Sequence, residues 1–161
     1  MTTQLHHRLL APRKFCDPYI IAQQLALLTN AQKSLIISNH AQRKHLSYVW
    51  SECGVYKHNQ CFNVSYTDER AILNLTLFSA LLASASHENI FEIVLNADYE
   101  VVKLALRIDL PTSPDTDIIL VLGGELEPER LEYRSVRLVT WYLNEKTDNH
   151  STLQKERYSH V

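Results

Sequence analysis

The sequence predicts an α/β domain, a single three-layer unit with a mainly parallel sheet between helices. Three observations carry this. Short apolar runs alternate with segments of helical apolar spacing, in the order α-β-α-β-α-β-α-β followed by a last strand. The middle strands are near-continuous apolar runs, the pattern of strands covered on both faces. The chain has 161 residues, 45% apolar and 21% charged, enough for one buried core.

Residues 1–16 show no periodicity and contain Pro12, so they read as a mobile N-terminal arm. Asp17-Pro18 is a helix start signal, because Asp caps free N–H groups and Pro fits the first turn. Ile21, Leu25 and Leu28 then place an amphipathic helix from Pro18 to about Asn30. Leu35 to Ser38 reads as a buried strand. Leu46, Val49, Trp50 and Cys53 share one helical face, so a helix is expected from His40 to Glu52, stopped by Gly54. Cys61 to Tyr66 is the next strand. A helix from Asp68 to about Ser86 is apolar on more than one side, through Ile72, Leu75 and Leu82 and through Leu73, Leu77 and Leu81. Such a helix needs a second cover, and a homodimer is the expected one.

Ile90 to Leu95 is the third strand. Val101, Leu104, Ala105 and Ile108 recur at helical spacing, so a short helix is expected there, ended near Pro111. Asp117 to Leu122 is the clearest strand and is closed by Gly123-Gly124. After the charged segment 125–134, Ser135 to Leu143 forms the last strand. The α/β domain thus spans 17–143, and the polar residues 144–161 read as a tail.

Charge excludes some functions. The net charge is -2, from 16 basic and 18 acidic residues, which argues against binding nucleic acid by bulk charge. No apolar run is long enough to span a bilayer, so no membrane partner is expected. The segment Met1 to Arg8 lacks the apolar core of a signal peptide, and a cytoplasmic location is expected. Gly54, Gly123 and Gly124 are the only glycines, so neither phosphate-loop pattern can be written and no nucleotide or other cofactor is expected.

Candidate chemistry is sparse. Cys53, His58 and Cys61 lie close in sequence, with His40 and His45 upstream. Thiolate and imidazole suit zinc, but no C-x2-C pair is present and Cys53 falls on the apolar stripe, where it serves as a small hydrophobe. His87-Glu88, Asp98 and Glu100 stand at element ends, where α/β enzymes place acids and bases and where capping residues also stand. Asp115 and Asp117 precede a strand, and a turn at Pro114 explains them as well as a metal would. Arg43-Lys44-His45 offers a basic helix face. Tyr48, Trp50 and Tyr56 cluster around it, while Tyr133, Trp141 and Tyr142 gather near the last strand. Trp50 falls on the apolar stripe and Tyr48 off it, as an exposed interface anchor would be.

The run Leu25 to Ser38, with its leucine-rich helix, polar break at Lys33 and short apolar strand, resembles the opening of the bacterial cell-division inhibitor SulA family. The order and length of the later segments are similar over roughly residues 20–143. The resemblance implies a RecA-like fold without a phosphate loop and no enzymatic activity. It implies SOS-induced binding of FtsZ that blocks polymerisation, and clearance by a cytoplasmic protease reading the C-terminal tail. It carries partner contacts onto Lys33, Tyr48 or Trp50, and Lys57, in a surface that also holds Arg43, Lys44 and Tyr56. Two other readings stand beside it. One is an interaction module such as a secretion chaperone or adaptor, which needs an antiparallel sheet where a RecA-like core needs a parallel one. The other is a small enzyme using a loop-end acid such as Asp98 or Glu100.

Overall fold

A computed structural model describes residues 7–10, 17–51, 54–64, 75–111 and 113–147. Helix α1 (Pro18–Lys33) begins as its sequence requires: the Asp17 carboxylate accepts the N–H groups of Tyr19 at 2.8 Å and Ile20 at 3.3 Å. It runs past Asn30, and the Ser34 N–H closes it on the Asn30 carbonyl. Its buried face is Ile20, Gln23, Gln24, Leu27, Leu28 and Ala31, so Leu25 points outward instead of inward. Strand β2 (Ile36–Ile37) follows. Ser38 then caps α2 (Asn39–Arg43), taking the Ala41 N–H at 3.0 Å.

The helix expected over 40–52 stops at Arg43. A 3-10 turn (Lys44–Ser47) follows, and strand β3 (Val49–Ser51) replaces the last helical turns. β-Branched Val49 and aromatic Trp50 favour the pleated backbone. Strand β3 pairs with β4 (Gly54–Lys57), and β4 with β5 (Gln60–Phe62), in a small antiparallel sheet. His58 and Asn59 turn between them with φ of 52° and 64°, the left-handed pair of a two-residue hairpin. Gly54 opens a strand and does not stop a helix. Its φ is +139°, and an added Cβ would lie 2.5 Å from the Phe62 carbonyl oxygen. Gly54→Ala should therefore cost about 2 kcal/mol or more, read as an earlier urea midpoint with an unchanged slope.

Helix α3 (Leu75–Ser84) leads to β6 (Ile90–Leu95). Phe78, Leu81 and Leu82 are buried, and Leu77 packs against the same core within one chain. Those leucines therefore need no second copy; Leu73 and Ile72 lie outside the described residues. The helix expected over 101–108 is a strand, β7 (Val101–Leu110). Strands β8 (Ser113–Glu127) and β9 (Glu132–Glu145) complete a long hairpin. Gly123 and Gly124 lie inside β8 and do not close it, and β9 extends two residues into the expected tail. Within the expected mobile arm, residues 7–10 form β1 (His7–Leu10), paired antiparallel with β6.

The main sheet has the order β1-β6-β7-β8-β9-β2. Every pairing in it is antiparallel except β2 with β9. The expectation of a mainly parallel sheet is thus overturned. The reason lies in the connections. Residues 96–100, 111–112 and 128–131 join β6 to β9 in sequence, and these are hairpin lengths. A parallel crossover needs about a dozen residues or more. The three described α-helices join one apolar cluster with Leu104, Leu106, Ile118, Leu120, Leu138 and Trp141. They share one side of the sheet, giving two layers among the described residues instead of three.

Candidate functional site: a cationic and aromatic cleft

Tyr48 links the small sheet to the main one. The 3-10 turn delivers it inward, and it is only 4% exposed. Its ring stacks on Trp141 at a centroid distance of 5.4 Å and an interplanar angle of 7°. Phe62 meets its edge at 6.5 Å and Trp50 lies tilted at 6.4 Å. Its hydroxyl oxygen accepts the Leu143 N–H of β9 at 2.8 Å. Burial pushes the Tyr48 hydroxyl well above the ordinary tyrosine range, so it stays protonated. The sequence expected Tyr48 outside and Trp50 inside. The strand at 49–51 reverses this: Tyr48 is core and Trp50 is half-buried, with a buried indole N–H that has no acceptor.

Lys57 closes the other side. Its Nζ sits 4.8 Å from the Tyr48 ring centroid, a cation–π contact. Its pKa is lowered to about 8, first by burial and then by the adjacent ammonium of Lys44. Neither ammonium has a carboxylate partner among the described residues, whereas Arg107, Arg134 and Lys146 all do. Beside them opens a cleft of about 330 Å³ between the β4–β5 hairpin and β9. Tyr48, Lys57, His58, Gln60, Phe62, Tyr142, Leu143 and Asn144 line it, and none is acidic.

The structure brings together Lys44, Tyr48, Trp50 and Lys57 of the expected partner surface. Tyr56 lies on β4 beside Lys57, opposite Val49 and Cys61. Lys33, in the last turn of α1, and Arg43, at the end of α2, are exposed and do not line the cleft. Phe62, Tyr142 and Leu143 complete it; Tyr142 is anticipated only as an aromatic near the last strand, and Phe62 and Leu143 are not anticipated as site residues. Tyr142 and Leu143 are consecutive on β9, so their side chains leave opposite faces and no period of two selects both; only the placing of β5 against β9 brings them to one cleft with Phe62.

Several of the other candidate groups have structural work. Asn96 Oδ1 accepts the N–H groups of Asp98 and Glu100 at 3.0 and 2.9 Å, and Asn96 Nδ2 donates to Glu100 Oε2 at 3.0 Å. Both acids therefore belong to the β6–β7 turn. His87 hydrogen-bonds Gln24 at 3.0 Å. Asp117 pairs with Arg107 and lies opposite Asp109, in a second cavity of about 500 Å³ that also holds Lys146. Among the described residues no three His, Cys, Asp or Glu side chains converge as metal ligands; Cys53 and Cys16 lie outside them. No described helix is long and apolar enough to cross a membrane. Comparison with protein-family models, with curated proteins and with solved structures finds no match for this chain.

Proposed function

We propose that the chain is a non-enzymatic interaction module of the secretion-chaperone or adaptor kind, which holds an extended segment of a partner protein. The observation that carries this reading is the nearly all-antiparallel sheet with the described helices on one side. That arrangement separates a chaperone-like module from a RecA-like core. Two features agree with it. Strand β2 pairs with only Arg137 and Leu138 of β9. Beyond that point side chains cap the β9 edge, Ser38 Oγ on the Val139 carbonyl and Tyr48 on the Leu143 N–H. The FtsZ-inhibitor reading rests on the resemblance alone, and the strand at 101–110 removes the helix that its layout required. In the loop-end-acid reading the Glu100 carboxylate accepts from Asn96 in the β6–β7 turn, where Asp98 contributes its backbone N–H.

Two parallel measurements test this. Labelled, unstructured peptides of acidic-apolar, neutral-apolar and basic-apolar composition are titrated onto the full chain by fluorescence anisotropy. FtsZ is sedimented with GTP in its presence. Saturable peptide binding with an unchanged FtsZ pellet is expected. No peptide binding together with a lost FtsZ pellet would return the assignment to the cell-division inhibitor.

A further inference from the structure

We infer that the Lys44–Lys57 pair is the seat for a carboxylate carried by the partner's bound segment, with an adjacent apolar side chain entering the cleft beside Phe62 and Tyr142. This inference rests on the interaction-module reading and names the chemistry of its ligand.

The argument starts from charge. Burial disfavours the charged form of Lys57, and the nearby Lys44 ammonium adds repulsion. Elsewhere the described cations of this protein that crowd a neighbour do so against carboxylates: Arg107 on Asp117, Arg134 on Glu127, Lys146 on Asp109. Here the neighbour of each cation is another cation. A bound anion removes the repulsion and gains two charge-assisted hydrogen bonds in a partly desolvated place. The Tyr48 ring under Lys57 fixes where that anion must sit.

The lining selects the anion. The most specific phosphate seats use guanidinium forks or converging backbone N–H groups, while lysine binds phosphate only as a point charge. The cleft has neither: no arginine and no glycine lines it. Its walls are instead Phe62, Leu143 and two tyrosines, which suit an apolar side chain next to a single negative charge.

Binding is then linked to protons. The carboxylate favours protonated Lys57, so its pKa rises on binding and affinity falls as pH climbs through about 8. The titratable groups that face Lys57 are Lys44 from the 3-10 turn, Tyr48, His58 from the hairpin and Tyr142 from β9. Tyr48 stays protonated across this range.

The test is anisotropy of a labelled twelve-residue peptide alternating Glu with Leu or Phe, against the same peptide with Gln for Glu. Expected is about tenfold or more tighter binding of the Glu peptide, with that advantage lost in Lys57→Gln and restored in Lys57→Arg. Lys44→Gln should reduce it similarly. Circular dichroism melts confirm that the variants fold. Equal binding of both peptides, or a Glu preference untouched by Lys57→Gln and Lys44→Gln, overturns the seat and leaves the module standing. Inorganic phosphate displacing the peptide at micromolar concentration would assign the seat to phosphate instead. If no peptide of any composition binds, the module reading falls and the seat with it.

Discussion

Replacing Tyr48 by Ala is expected to destabilise the protein by about 3–5 kcal/mol, the range for removing a buried aromatic side chain. The ring stacks on Trp141, meets the edge of Phe62 and supports Lys57. Its loss opens a cavity where the small sheet joins β9. For a chain of this size the melting temperature should drop by about 10 °C. Tyr48→Phe separates the hydroxyl from the ring. It keeps the stack but strands the buried Leu143 N–H, whose acceptor is the Tyr48 oxygen. A cost of about 1–3 kcal/mol is expected, the penalty of an unsatisfied buried donor. Urea unfolding of both variants checks the pair. A Tyr48→Ala protein within 1 kcal/mol of wild type, on the scale set by burial energetics, would show that the ring is a surface anchor after all.

Arg107→Ala should cost about 3 kcal/mol, the lower end for stranding a buried carboxylate. Arg107 Nε donates to Asp117, and Nη2 donates to the Lys146 carbonyl at 2.9 Å and the Glu145 carbonyl at 3.4 Å. It thereby ties β7 and β8 to the end of β9. Asp117 is 3% exposed and faces Asp109 across the β7–β8 ladder. Burial raises the Asp117 carboxyl above the usual range against the pull of Arg107. The Lys146 ammonium holds Asp109 below it. The two contributions to stability have opposite signs. A raised carboxyl stabilises the fold in acid and loses that contribution as pH rises through its folded pKa. A lowered one stabilises above the unfolded pKa and loses its contribution in acid. Without Arg107 both carboxyls shift upward. The variant should therefore recover stability as pH falls from 7 towards 5, narrowing its gap to wild type. Asp117→Asn in the Arg107→Ala background should recover part of the loss at pH 7. A gap that stays constant with pH would contradict the buried carboxyl pair.

Part of this structure is written plainly in the chain. Asp17-Pro18 starts α1 where expected, and Ile90 to Leu95 and the centre of β8 are strands as their apolar runs indicate. Strand β7 was hidden by a coincidence. Val101, Leu104, Ala105 and Ile108 fit a helical face, yet from Lys103 to Leu110 charged or small residues alternate strictly with Leu and Ile. The observed burial follows that period of two: Leu104, Leu106, Ile108 and Leu110 enter the core. The helical face of α1 was misread for another reason. Gln23 and Gln24 are fully buried, and Gln23 Oε1 accepts the Val101 N–H at 2.6 Å. Inward polar residues do not register in an apolar pattern. For the cleft, Lys44, Lys57 and the nearby aromatics are visible as a basic and aromatic stretch. Which aromatic is core is decided by the change from helix to strand near residue 48, and apolar spacing alone does not report that change.

Chemical-shift mapping tests the central claim most directly. The Glu-containing peptide is titrated into uniformly 15N-labelled full-length protein at pH 7, and the amide signals of 48, 57, 58, 60 and 143 are followed. Saturable shifts concentrated on those amides, which revert when Gln replaces Glu in the peptide, are the predicted result. Saturable binding whose shifts fall instead on Lys103, Glu125 and Arg137, with the cleft signals unmoved, would place the partner elsewhere and contradict the account.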